Sequence, residues 1–74
     1  VPAGAETVKC PMPGTILSVT VKTGDAVKTG QVLMILEAMK MENEIVAARD
    51  GRIASVNVDK GASVESGTVL CVIE

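Results

Sequence analysis

The sequence predicts an all-β fold, a flattened barrel or sandwich built from two related halves of four strands each. Three observations predict it: an internal repeat, apolar segments with strand-like patterns, and no capped helical period of useful length. A chain of 74 residues is long enough for one small domain, near the lower size limit for a single core. We therefore expect the two halves to share one core and to be related by an approximate two-fold axis.

The internal repeat has a period of 37 residues, because residues 14–37 align with residues 51–74 and 11 of 24 positions are identical. Six of the seven glycines fall into three matched pairs, Gly14/Gly51, Gly24/Gly61 and Gly30/Gly67. Glycine recurs where a backbone turns with positive φ or where chains approach closely, so matched glycines predict matched turns. Two copies are too few for a solenoid, which favours a closed two-fold unit.

The individual strands follow from local composition. A short first strand is stopped by Pro11 and Pro13. Each copy then has a β-branched, nearly alternating segment and a segment that is apolar at every position, as in buried central strands. The second copy opens with a strand of its own. In chain order, the predicted strands are residues 7–10, 16–21, 32–36, 41–47, 53–58 and 69–73.

The composition excludes several classes of function. The chain has no His and no aromatic residue, and its net charge is −2. It therefore lacks an imidazole for acid–base work or metal binding, and it lacks rings and a basic face for nucleic acid. The longest apolar run, residues 32–36, is too short for a membrane span or a signal sequence. We expect no catalytic residue, no metal site, no nucleic-acid partner and no direct membrane contact.

The two cysteines, Cys10 and Cys71, are too few for a disulfide scaffold or a zinc site. We interpret them as reduced, buried, small apolar residues, with a disulfide or a reactive thiol as the alternatives. Free thiols favour a cytoplasmic location, and the mitochondrial matrix is the alternative for a processed homologue.

The two copies meet at a short link, Ala38, Met39 and Lys40, between Glu37 and the strand that begins at Met41. Such a short link predicts a tight hairpin with Lys40 at its tip, on or close to the pseudo-two-fold axis. The methionines are unusual because turn tips normally carry Gly, Asn or Asp. They either fill the core around a surface lysine or form an adaptable apolar surface for a partner enzyme.

Residues 38–41, Ala-Met-Lys-Met after Glu37, resemble the biotin attachment motif of biotin carboxyl carrier domains. Pro-Met-Pro-Gly at residues 11–14 resembles a segment that many such domains carry before the second strand. The resemblance covers residues 7–74, the predicted carrier domain. Residues 1–6 lie outside it, and we interpret them as the end of a flexible Pro/Ala linker.

The resemblance implies that a biotin protein ligase links Lys40 to biotin through an amide. The motif that the ligase recognises would then comprise Glu37, Ala38, Met39, Met41 and Glu42. Glu37 could instead be a structural strand-end residue, because it is the repeat equivalent of Glu74. Glu42 could instead belong to a solvated strand edge.

The same resemblance implies a carrier and not an enzyme. Such a domain takes carboxybiotin between a biotin carboxylase and a carboxyltransferase or decarboxylase, on a swinging arm. A catalytic lysine needs a desolvated site or a neighbouring cation, whereas Lys40 has Glu37, Glu42 and Glu44 nearby in sequence. The equal spacing of the two halves resembles the carriers of acyl-CoA and oxaloacetate carboxylases, transcarboxylases and sodium-pumping decarboxylases.

Two alternatives stay open at the level of sequence. A lipoyl carrier of 2-oxoacid dehydrogenases shares the two-fold barrel and a hairpin lysine. In that family the lysine usually follows an acidic residue and precedes alanine, which differs from Met39 and Met41. The third class is an unmodified barrel-hairpin module that binds other proteins, in which Lys40 would be incidental.

Overall fold

The computed structural model describes residues 5–74, which form eight β-strands in two four-stranded antiparallel sheets and no helix. The predicted all-β sandwich is therefore confirmed. The strands are β1 (Glu6–Lys9), β2 (Gly14–Val19), β3 (Ala26–Val27), β4 (Val32–Ala38), β5 (Met41–Val46), β6 (Gly51–Val56), β7 (Ser63–Val64) and β8 (Val69–Ile73).

The strand bounds differ from the predicted ones at several strand ends, and β2 and β6 stop at Val19 and Val56, two residues before their predicted ends. The fourth strand of each half, which the sequence did not locate, is one of the two-residue strands β3 and β7. The strands β2 and β6 begin two residues earlier than predicted, because Gly14 and Gly51 already take part in the sheets. The strand β1 begins at Glu6, the last residue of the predicted linker. Residues 1–4 of that linker lie outside the described residues.

The order of strands shows that the halves interlock. One sheet has the order β1-β8-β6-β3 and the other has the order β5-β4-β2-β7. Shifting every strand by one repeat converts the first order into the second, so the two sheets are pseudo-equivalent. Each half contributes two strands to each sheet, which means that neither half forms a layer by itself.

Hydrogen bonds outside the regular ladders obey the same symmetry. The Gly24 N–H donates to the Ile53 carbonyl at 2.8 Å, and the Gly61 N–H donates to the Ile16 carbonyl at 2.7 Å. These four residues are related by the 37-residue repeat, and the two bonds cross between the halves. The approximate two-fold relationship predicted from the matched glycines is therefore present in the backbone.

The core lies between the sheets and receives side chains from both halves. Its fully buried members include Ile16, Leu33, Met34, Leu36, Ile53, Leu70, Cys71 and Ile73. Both cysteines are buried and free, as predicted, and burial raises the pKa of the Cys71 thiol. The Cys10 thiol donates a hydrogen bond to the Met12 carbonyl at 2.8 Å.

Gly51 is needed at the start of β6 because there is no room for a side chain. A Cβ atom there would lie 2.6 Å from the Glu74 carbonyl oxygen and 2.7 Å from the Ile73 side chain. Its repeat equivalent, Gly14, meets the Glu37 carbonyl in the same way. This close approach holds β2 against the end of β4, and therefore helps to position the hairpin that follows β4.

Within residues 5–74, no helix is long and apolar enough to cross a membrane.

Candidate functional site

The site is the hairpin that joins β4 to β5. The two strands pair from Val32 and Val46 to Ala38 and Met41, which leaves a link of two residues. Those residues, Met39 and Lys40, have φ angles of 53° and 65°. Positive φ at both central positions is the requirement of a type I′ turn, which usually selects Asn-Gly or a similar pair. Among residues 5–74, no other non-glycine residue has a positive φ.

The side chains at the tip point into solvent. Met39 is 90% exposed and Met41 is 66% exposed, and Lys40 is exposed between them. The interpretation of the methionines as core fillers is therefore wrong. No residue from 5 to 74 hydrogen-bonds to the Lys40 ammonium or pairs with it, so it is accessible to an approaching enzyme.

Carboxylates flank the tip on the outer face of the hairpin. Glu37 of β4 and Glu42 of β5 lie directly opposite each other, one pair of residues before the turn. Both are exposed, whereas Ala38 beside Glu37 is buried. The structure thus brings together every residue of the predicted motif, from Glu37 to Glu42, at one end of the hairpin.

The predicted position of Lys40 on the pseudo-two-fold axis is wrong. The two-fold operation relates β4 to β8 and β5 to β1, so it moves the Glu37–Glu42 pair to Glu74 and Ala5. A group on the axis would be mapped onto itself by the two-fold rotation. The rotation instead maps the hairpin between β4 and β5 onto the end of β8 and the start of β1, at the equivalent end of the other sheet. The hairpin therefore lies away from the axis and occurs in only one of the two equivalent positions.

The sequence did not indicate that both turn residues are left-handed. The only available signal was the two-residue link itself, because a hairpin that short requires positive φ whether or not it contains glycine. The sequence also did not single out Val46 at the far end of β5, which is 43% exposed.

The solvent-exposed lysine on a tight turn fits a covalently attached group that must reach beyond the protein. An amine held outside the fold is open to acylation, and no side chain among residues 5–74 competes for it. Because both strands of the hairpin are paired along their length, the tip has a fixed position relative to the core.

Among known proteins, the chain is similar to subunits of decarboxylases and to biotin carboxyl carrier proteins. A methylmalonyl-CoA decarboxylase subunit gamma from Veillonella parvula is 70% identical over 47 residues, or 64% of this chain and 36% of that protein. A biotin carboxyl carrier protein from Streptococcus mutans is 63% identical over 49 residues, or 66% of this chain and 38% of that protein. The chain thus spans well under half the length of these relatives.

Among solved structures, the urea carboxylase of Kluyveromyces lactis superposes on the whole chain with a TM-score of 0.92 and 30% identity. The superposed region is 6% of that enzyme. A model of the biotin/lipoyl family, described as biotin-requiring enzyme, matches residues 6–73, which is nearly all of the chain. The chain therefore belongs to the family of biotin-requiring enzymes.

Proposed function

We propose that this domain is a biotin carrier in which Lys40 Nζ is joined to the carboxyl group of biotin by a biotin protein ligase. The observation that carries this proposal is the exposed Lys40 at the tip of a left-handed, glycine-free turn, within the sequence Ala-Met-Lys-Met. Membership of a biotin-requiring family supports it. The domain itself contributes no catalytic residue.

The attachment is an acyl transfer to an amine. The uncharged Lys40 amine attacks the carbonyl carbon of a biotinyl-adenylate, and a C–N bond forms. The bond from that carbonyl carbon to the phosphate oxygen breaks, AMP leaves with the electron pair, and the nitrogen gives up a proton to solvent or to a base of the ligase. The ligase supplies the activated acyl group because an exposed amine is a weak nucleophile towards an ordinary carboxylate.

Biotin, once attached, supplies the chemistry of accepting and releasing a carboxyl group. The residues of the chain present it: the lysine side chain provides reach, and the paired strands β4 and β5 provide a fixed base. A tethered carrier raises the effective concentration of its group at each active site without tight binding. The relatives, a decarboxylase subunit and a carboxyl carrier protein, support a biotin carboxylase and a carboxyltransferase or decarboxylase as partners. The proposed location is the cytoplasm, which the free thiols of Cys10 and Cys71 support.

The assignment of recognition residues is part of the same proposal. We infer that the ligase contacts Met39 and Met41, which are exposed, and the outward-facing Glu37 and Glu42. Ala38 is buried beneath the turn and acts by allowing the strands to close tightly. The domain boundary at residue 7 also stays a prediction, with β1 beginning one residue before it.

The fold alone does not distinguish a biotin carrier from a lipoyl carrier. The distinction rests on Met39 and Met41 on either side of Lys40, and on relatives that are biotin carboxyl carriers. An unmodified interaction module gives no reason for a strained turn to carry lysine where glycine or asparagine would fit better.

Intact mass spectrometry tests the proposal. The full-length protein is co-expressed with a biotin ligase and, separately, with a lipoate ligase. We expect a mass increase of one biotinyl group in the first case, its loss in Lys40→Arg, and its retention in Lys60→Arg, another exposed turn lysine. The proposal is wrong if no biotinyl adduct forms, if the adduct survives Lys40→Arg, or if only lipoate is attached.

A further inference from the structure

Asp50-Gly51 is the only place in the sequence where an aspartate or asparagine precedes glycine. In such a pair the backbone nitrogen of the glycine can attack the side-chain carboxyl group, because no side chain on the glycine hinders its approach. Packing requires glycine at position 51, since a Cβ atom there would lie 2.6 Å from the Glu74 carbonyl oxygen. The fold therefore requires the residue that makes a preceding aspartate chemically labile.

The reaction of such a pair is an isomerisation that passes through a cyclic imide. The Gly51 nitrogen forms a bond to Cγ of the protonated Asp50 carboxyl group, and the carboxyl hydroxyl leaves as water with the proton of the nitrogen. A water molecule then opens the ring at one of its two carbonyls. Cleavage of the new N–Cγ bond regenerates aspartate, whereas cleavage of the original peptide bond gives isoaspartate, in which the main chain runs through the side chain. Isoaspartate contains the same atoms as aspartate.

A pair of hydrogen bonds holds the Asp50 carboxylate away from this reaction. Its Oδ1 accepts one bond from the Thr29 N–H at 2.8 Å and one from the Thr29 hydroxyl at 3.0 Å, and we call this pair the Thr29–Asp50 clasp. The backbone bond first, and then the hydroxyl bond, lowers the pKa of Asp50 below its ordinary value of 3.8. The protonated carboxyl group, which is the form that the nitrogen attacks, is therefore rarer in the clasp than in a free aspartate.

The backbone that carries the attacking nitrogen is also held in place. Gly51 pairs with Val27 of β3, and the next residue, Arg52, exchanges two backbone hydrogen bonds of 2.9 Å with Glu74. The clasp itself joins the loop after β3 to the loop before β6, across 21 positions of the sequence. Ring closure at Asp50 therefore requires this region to open locally.

The internal repeat shows that the strands form without the clasp. The repeat places Pro13 at the position of Asp50 and Ser66 at the position of Thr29. Proline has no carboxyl group that could cyclise or accept a hydrogen bond. The reactive pair and the clasp therefore occur together at one of the two equivalent positions, whereas the strand that follows, β2 or β6, forms at both.

We propose that Asp50 is a modification site at which isoaspartate forms when the Thr29–Asp50 clasp opens, and that the closed clasp protects the folded domain from this change. Isoaspartate adds one atom to the main chain directly before β6, where the approach of Gly51 to the Glu74 carbonyl leaves no room. The modified chain would lose the contacts that hold the start of β6 in its sheet. This inference does not depend on the chemistry of Lys40.

The test follows isoaspartate in the full-length protein during incubation at neutral pH and physiological temperature. Isoaspartate is quantified with protein isoaspartate methyltransferase and radiolabelled S-adenosylmethionine, and fragmentation mass spectrometry assigns it to a residue. Thr29→Val removes the hydroxyl bond of the clasp, and Thr29→Ser keeps it. Thr23→Val is the matched control, because Thr23 is likewise exposed and precedes a glycine with positive φ. Circular dichroism checks that each variant is folded, and wild type unfolded in guanidinium chloride gives the rate without the clasp.

We expect Thr29→Val to form isoaspartate at Asp50 at least about threefold faster than wild type, because it loses one of the two hydrogen bonds to the carboxylate. Thr29→Ser and Thr23→Val should keep the wild-type rate. Asp50→Glu should form no detectable isomer at that position, since its longer side chain would have to close a larger and less favourable ring. The unfolded wild type should isomerise faster than every folded variant.

Three outcomes would overturn the inference. Equal rates for wild type and Thr29→Val, both below that of the unfolded chain, would show that the clasp is not the protecting element. A folded wild type that isomerises as fast as the unfolded chain would show that the fold does not protect Asp50. Isoaspartate that forms mainly at Asp25 or Asp59, or not at all in the unfolded chain, would show that Asp50 is not the modification site.

Discussion

Met39 and Lys40 adopt a backbone conformation that side-chain-bearing residues rarely adopt. A left-handed residue other than glycine, asparagine or aspartate costs about 1 kcal/mol, because Cβ approaches the following carbonyl oxygen. The remaining turns with positive φ among residues 5–74 use glycine, as at Gly24 and Gly61. The backbone at the hairpin tip is therefore strained and lowers the stability of the fold, which is typical of a functional site.

A substitution at the first turn residue measures this strain. We expect Met39→Asn to raise the free energy of unfolding by about 0.5–1 kcal/mol, because asparagine tolerates the left-handed region. Urea denaturation of the unbiotinylated protein measures the change. Met41→Asn is the matched control, since Met41 is equally a solvent-exposed methionine but lies in β5 with ordinary φ. An equal change in the free energy of unfolding for Met39→Asn and Met41→Asn would show that the turn at Met39 is not strained.

Asp50 gives a pH-dependent contribution to stability. Its Oδ1 accepts hydrogen bonds from the Thr29 N–H at 2.8 Å and from the Thr29 hydroxyl at 3.0 Å. These bonds, the backbone bond first, lower the pKa of Asp50 below its ordinary value of 3.8. The folded pKa is thus below the unfolded one, so the contribution is present above pH 3.8 and is lost as pH falls through the folded pKa.

The corresponding experiment compares wild type with Asp50→Asn over a range of acid pH. We expect the wild type to be more stable at neutral pH, and the difference in free energy of unfolding to shrink as pH falls below 3.8. Thr29→Val, which keeps the backbone donor and removes the hydroxyl, should remove only part of the difference. If the free energies of unfolding of wild type and Asp50→Asn differed by the same amount at every pH, the pH-dependent contribution assigned to Asp50 would be wrong.

At the scale of single elements, the pattern of apolar residues predicted the positions of the long strands but did not predict the two short strands, β3 and β7. The strands β4 and β8 are apolar at most positions and were found within two residues of their bounds. The strands β3 and β7 have two residues each and lie among turn residues, so no periodicity could reveal them. They exist because the shared core brings them against β6 and β2, which is a tertiary effect.

The close contact at the start of β6 leads to a prediction for a single element. We expect Gly51→Ala to lower the free energy of unfolding by about 1–3 kcal/mol, because a methyl group must displace the Glu74 carbonyl or Ile73. Gly24→Asn is the comparison, since no atom lies within 4 Å of a Cβ there and asparagine accepts its positive φ. The same loss in both variants, measured by urea denaturation, would argue against the packing explanation.

At the scale of the whole molecule, the repeat in the sequence predicted the symmetry, the two sheets and the hairpin, but not where the hairpin lies. Matched glycines identify equivalent turns, and the short link at residues 38–40 identifies the attachment hairpin. The distance of that hairpin from the axis depends on how strands are exchanged between the sheets, for which one sequence gives no signal.

The exchange of strands predicts that neither half folds without the other. Each half supplies two strands to each sheet, so a peptide of residues 1–39 (β1–β4) or 40–74 (β5–β8) would leave both sheets incomplete and the core open. A segment this short also buries too little apolar surface to offset its conformational entropy. We expect each peptide alone to lack protected amide protons in hydrogen exchange, and a mixture of the two to regain them with protection at Ile53 and Leu36. The full-length chain is the reference, and a monomeric half with native protection would show that the halves are independent folding units.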